Sequence, residues 1–119
     1  RVEAATVMFV EWRDDSSPYK VGPGFSVAGG KLHVKDQPPL DLPAGQWVHF
    51  EMTAGLGPQS TGTWDLAVTL PGQPSKAFKG LANGKPDWKK LAWLGFSSTA
   101  NEKTAFYLDN IELTSSAAQ

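Results

Sequence analysis

Gly29-Gly30-Lys31-Leu32-His33-Val34-Lys35 is the stretch on which the fold turns. Two glycines set a tight turn, and the five residues after them alternate polar and apolar without a break. A period of two sends Leu32 and Val34 to a core and Lys31, His33 and Lys35 to water, so the segment predicts a strand with one wet face. The pattern recurs outward along the chain. Residues 46–53 place Val48, Phe50 and Met52 on one side and Trp47, His49 and Glu51 on the other. Residues 63–70 place Trp64, Leu66, Val68 and Leu70 on one face, with small and polar residues opposite. Residues 2–12 are β-branched and apolar on both parities, as expected for a central strand covered on both sides.

Turn chemistry separates these runs. The 12 Gly and 9 Pro stand as punctuation between short apolar segments, and no stretch has a helical period. Pro71-Gly72-Gln73-Pro74 closes one strand, and residues 76–81 return as its hairpin partner. Residues 91–98 and 104–113 read as two final strands. The sum is an all-β chain of about eight strands at roughly 8–15-residue spacing, the pattern of an antiparallel sandwich or barrel. A single domain over residues 1–113 is expected, with 114–119 as a flexible C-terminal tail.

Composition narrows the function. The 119 residues carry 11 basic and 12 acidic side chains, a net charge of -1, which offers no electrostatic footprint for nucleic acid. No apolar run approaches the roughly 20 residues of a membrane-spanning helix, so membrane insertion is not expected. With no cysteine, disulfides, thiolate catalysis and Cys-type metal sites are excluded. The start at Arg1, with neither an initiator Met nor a signal-like run, reads as a module cut from a larger, multidomain protein.

Three segments bear a family likeness. Phe106-Tyr107-Leu108-Asp109-Asn110-Ile111-Glu112-Leu113 resembles the last strand of many jelly-roll carbohydrate-binding modules. Pro43-Ala44-Gly45-Gln46-Trp47-Val48-His49-Phe50-Glu51, with His two residues after Trp, resembles a strand of laminin-G-like and concanavalin A-like β-sandwiches, and Gly62-Thr63-Trp64-Asp65-Leu66 adds to it. The resemblance implies a two-sheet antiparallel jelly roll, extracellular or at the cell surface, accessory to a secreted or surface enzyme or protein. It also implies a structural calcium ion held through Asp109. Domains of that superfamily are usually longer than this chain, which implies a further strand from outside it or from another copy and leaves the oligomeric state open.

Five Trp are candidates for stacking on pyranose rings while polar neighbours bond the hydroxyls. Trp64 and Trp93, set among Leu and Val, are assigned to the core. Trp47, with His49 and Glu51, either forms a ridge that binds a sugar or packs beneath a covering layer. Trp88 and Tyr19 lie between charged or turn residues in loops, where they either meet a ligand or plug the end of the sandwich. Trp12 at the end of the first strand is a similar case, and Arg13 beside it is the natural donor to a carboxylate of an acidic polysaccharide. His33 and His49 lack a metal-ligand motif and read as surface or hydrogen-bonded histidines.

Catalysis has little footing. Glu51 and Asp65 lie on the polar sides of their strands, but the Glu-x-Asp run of the catalytic members of the superfamily does not occur, nor does Gly-x-Ser-x-Gly. The expected function is non-catalytic polysaccharide or oligosaccharide binding through Trp47, His49, Glu51, Trp88, Tyr19, Trp12, Arg13 and Asp65. A structural or adhesive domain that packs on a partner, and a small glycan-active hydrolase, are the alternatives.

Overall fold

The computed structural model describes residues 1–115; residues 116–119 of the expected tail lie outside the described residues. The chain is all-β. Strands β1 (Met8–Arg13), β2 (Val21–Ala28), β3 (Lys31–His33), β4 (Leu40–Asp41) and β8 (Trp93–Ser97) form one sheet in the order β4-β3-β2-β1-β8. Strands β5 (His49–Ala54), β6 (Thr63–Thr69) and β7 (Lys76–Ala82) form the other, in the order β5-β6-β7. Every strand pair is antiparallel.

The alternation read from the sequence fixes which side chains meet between the sheets. Leu32 and Val34 point inward and are buried, while Lys31, His33 and Lys35 are exposed. Met8, Val10 and Trp12 of β1 and Phe25 and Val27 of β2 are buried on the large sheet; Trp64, Leu66 and Val68 of β6 and Phe78 and Leu81 of β7 are buried on the small one. All of these except Trp12 join in one core. Phe50 of β5 and Phe25 of β2 stack with centroids 5.0 Å apart, which ties the edge of the small sheet to the centre of the large one. β1 has neighbours on both sides, as its apolar run implies, but its outward residues Phe9, Glu11 and Arg13 are only half-buried.

The first strand, read over residues 2–12, begins only at Met8, after an isolated bridge at Val2 and a turn at Ala4-Ala5; residues 104–113 also depart from the sequence reading, and β2 lies where the pattern marked no strand. Strand β2 contains Gly22, Pro23 and Gly24, residues that ordinarily argue against a central strand. They fit because β2 bulges there: Gly22 and Pro23 together oppose Trp12, between the pairs Glu11–Gly24 and Arg13–Val21. Strand β3 pairs β2 only from Ser26 to Ala28, so it needs no donor from Pro23. Residues 104–113, expected to be a strand, make an isolated bridge between Phe106 and Val2, flanked by two backbone hydrogen bonds between Tyr107 and Arg1 at 2.8 Å, and beyond it run without a strand partner, with exposed side chains at Leu108, Ile111 and Leu113.

A second bulge shapes the small sheet. Lys79 and Gly80 of β7 together oppose Asp65 of β6, Gly80 takes φ 65°, and its N–H donates to Asp65 Oδ1 at 2.9 Å. The Asp65 carboxylate also lies 3.7 Å from Lys79 Nζ. Its work is to hold the bulge.

Candidate functional site

Burial divides the predicted site residues into three groups. Trp88 is 0% exposed and Trp12 8%. Their ring centroids lie 6.3 Å apart and the pair plugs one end of the sandwich, so neither presents a face to a ligand. Trp88 is seated by backbone: its N–H bonds Lys85 O, its carbonyl accepts from Ser60 Oγ at 2.9 Å, and its indole fills the space a side chain at Gly22 would take.

The second group stands on the outer face of the five-stranded sheet. Arg13 holds its guanidinium close to two rings, 4.2 Å from the centroid of Tyr19 and 4.0 Å from that of Trp93. The core assignment of Trp93 is corrected by the structure: the side chain is 41% exposed. The signal lies in its parity, because Trp93, Gly95 and Ser97 alternate with Leu94 and Phe96. The Trp93 indole lies over Gly95, whose missing side chain makes the room. Arg13 Nε donates to Glu11 Oε2 at 2.8 Å and Nη2 lies equally close to the same oxygen. Arg13 is therefore neutralised by Glu11 and stacked on two rings, which makes it a rigid part of the surface. Beside it a shallow trough of about 300 Å³ runs over Gly22, Gly24 and Ser26, between Glu11 and Phe9 on one side and His33 and Lys35 on the other. His33 Nε2 lies 3.1 Å from Ala28 O.

Loops 14–20 and 83–92 hold Tyr19 in place. Asp14 Oδ1 accepts the N–H groups of Ser16 and Lys20, while Lys20 pairs with Asp87 and Lys90 with Asp15, both at 2.6 Å. Hydrogen bonding from the Lys20 backbone lowers the Asp14 pKa below its ordinary value. The Lys90 ammonium lowers that of Asp15, and the Lys20 ammonium that of Asp87.

The third group gathers around Trp47. Trp47 is 51% exposed and rims a depression of about 560 Å³. Three separate stretches line it: Trp47, Val48 and His49 leading into β5, Thr69 to Gln73 at the β6–β7 turn, and Asp109 with Asn110 near the C-terminus. His49 and Thr69 are cross-strand partners, which brings their side chains to the same outer face. The turn closes through Gln73 N–H to Leu70 O at 3.1 Å, with Gly72 at φ 69°. Asp109 Oδ1 accepts the N–H of Asn110 at 2.8 Å, in a turn where Asn110 takes φ 53°. Three residues singled out from the sequence for different reasons, Trp47, His49 and Asp109, thus share one wall. Thr69 and Gln73 escape a sequence reading, because nothing local marks a strand end or a turn as facing a distant Trp. Glu51 is exposed on the same sheet face but does not line the depression.

No group of three or more His, Cys, Asp or Glu gathers among the described residues, and a calcium ion takes six to eight oxygens.

The structure thus defines a class, an antiparallel two-sheet all-β domain with a depression of mixed polar and apolar lining beside the small sheet. Comparison with protein-family models, curated proteins and solved structures gave no match.

Proposed function

We propose that the chain is a non-catalytic carbohydrate-binding module of the jelly-roll type, accessory to a secreted or surface protein, and that it takes an oligosaccharide or polysaccharide in the depression beside Trp47. The observation that carries the proposal is a half-exposed Trp set against convergent donors and acceptors: His49, Thr69, Gln73, Asp109 and Asn110. The indole supplies a flat apolar surface for the C–H face of a pyranose, and the polar side chains exchange hydrogen bonds with its hydroxyls. The site is open and buries little surface, so the expected Kd lies in the micromolar to millimolar range. Titrating intrinsic Trp fluorescence with a panel of neutral, acidic and amino polysaccharides tests it. A saturable shift that disappears in Trp47→Ala supports the proposal; silence across the panel refutes it.

A structural or adhesive domain is the second reading, and one observation favours it. Leu108, Ile111 and Leu113 are 45–65% exposed along a segment with no strand partner among the described residues, as a strand awaiting a partner surface would be. A glycan-silent chain that self-associates in light scattering, and becomes monomeric on Ile111→Lys/Leu113→Lys, would favour this reading over sugar binding.

A further inference from the structure

Resting on the carbohydrate reading of the Trp47 depression, we propose that its preferred saccharide carries a protonated amine, as a glucosamine unit does. The argument is one of charge. Six carboxylates of the described chain have a basic partner within 4 Å: Glu3, Glu11, Asp15, Asp41, Asp65 and Asp87. Asp109 has none among the described residues, and with Oδ1 taken by the Asn110 N–H its Oδ2 stays open. Glu51, two residues from His49 on the same outer face, also has no basic partner among the described residues. No Lys or Arg lines the depression. A ligand there meets the Asp109 carboxylate and the half-exposed indole of Trp47, both of which attract a cation, with His49 the one basic side chain in the lining.

A neutral pyranose uses the hydroxyl partners and the stacking alone. An ammonium on the ring adds the charge-assisted hydrogen bond to Asp109 and the attraction of the indole quadrupole, each modest at an exposed site. Together they amount to roughly a fivefold to tenfold gain in affinity over the N-acetylated form. A uronate is repelled by the same carboxylate. The trough beside Arg13 differs: each hollow has one His in its lining, but the trough also carries Lys35, with Glu11 already neutralised by Arg13. Binding of amino sugars is thus specific to the Trp47 side.

Fluorescence titration at about pH 6 and low salt, with a glucosamine oligomer, its N-acetylated counterpart, a uronate oligomer and a trilysine peptide as probes, tests the proposal. The expected order is glucosamine oligomer tightest, the N-acetylated form roughly fivefold to tenfold weaker, and the uronate weakest. Asp109→Asn is expected to weaken the glucosamine oligomer more than the N-acetylated form, narrowing the gap between the two. Equal affinity for the amino and N-acetylated oligomers overturns the amine while leaving the sugar reading standing. Trilysine binding as tightly as the glucosamine oligomer overturns it in favour of a basic peptide. Silence of every oligomer removes the sugar reading and this inference together. The wild-type comparison of amine with N-acetyl needs no variant, so it decides even if Asp109→Asn fails to fold.

Discussion

Gly22→Ala places one methyl group where the structure has no room for it. An ideal Cβ at Gly22 falls 2.6 Å from Cε2 and Cε3 of Trp88 and closer still to Cδ2 of the same indole, whereas carbon atoms in contact rest at about 3.5–4.0 Å. The ring must therefore retreat by about 1 Å. It cannot swing into solvent, since Trp88 is fully buried and Trp12 packs against it. Against this, replacing Gly by Ala in a strand lowers the entropy of the unfolded chain, a gain of about 0.4–1 kcal/mol where the backbone tolerates it. Overpacking of a close-fitted core costs about 1–3 kcal/mol, so the net effect is a destabilisation of about 1–2 kcal/mol. For a domain of this size that lowers the thermal midpoint by roughly 4–10 °C. Urea titration of wild type, Gly22→Ala, Trp88→Leu and the double variant separates the clash from other effects, because a smaller side chain at position 88 relieves it. The coupling energy is expected to be about 1 kcal/mol or more, with Gly22→Ala less harmful in the Trp88→Leu background than in wild type. An additive cycle, or a Gly22→Ala chain as stable as wild type, would refute the claim that this glycine exists to seat Trp88.

Gly95→Ala creates an even closer approach, to Cη2 and Cζ2 of Trp93, yet a smaller loss is expected, under about 1 kcal/mol, because Trp93 stands at a sheet edge and can turn outward. Its signature is a red shift of Trp93 emission as the ring leaves Arg13, and an unshifted spectrum would contradict it. Arg13→Lys should lose most of what Arg13→Ala loses, about 1–2 kcal/mol by urea titration, since an ammonium lacks the flat face that meets Tyr19 and Trp93; full rescue by Lys would show that charge alone matters. The depressed carboxyls of Asp14, Asp15 and Asp87 contribute stability that is present above their ordinary value of 3.8 and is lost as pH falls through their lower folded values. Lys20 and Lys90, raised by the Asp87 and Asp15 carboxylates, contribute stability present below their ordinary 10.5 and lost as pH rises beyond it. Stability of wild type measured against Asp15→Asn/Asp87→Asn should thus differ at neutral pH and converge as pH falls below 3.8; a gap that persists undiminished in strong acid would rule out these ion pairs as its source.

What the sequence made legible was set by how far each residue's environment depends on its neighbours in the chain. The strands with one buried face, such as Lys31–His33 and Thr63–Thr69, carry their own period and needed no knowledge of the partner sheet. Strand β2 was opaque because Gly22 answers to a Trp far along the chain. Read locally, Gly22-Pro23-Gly24 is a turn; read with Trp88 in place, it is a backbone that admits both the indole and the bulge. The same logic explains Trp88 itself. Its neighbours Asp87 and Lys89 are exposed, yet the loop closes through Lys85 N–H to Val21 O and turns the indole inward over the sheet end.

The depression at Trp47 is the extreme case of this dependence. Each lining stretch reads sensibly alone, as a strand start, a Pro-Gly turn and a C-terminal Asp-Asn pair, and none of them states that it meets the others. Register brings them together: His49 opposite Thr69 fixes the β5 start beside the end of β6, and the turn that follows supplies Gly72 and Gln73. A one-residue slip of β5 against β6 would turn Trp47 and His49 toward the core and Val48 and Phe50 toward water. The Phe25–Phe50 stack between the sheets opposes that slip, so the contact that anchors the core also keeps Trp47 facing outward. The aromatic residues thus fall into two kinds of position. Trp12, Trp64 and Trp88 are held inside by packing on every side, while Trp47 and Trp93 are held outside by the alternation of a strand whose inward neighbours are already committed.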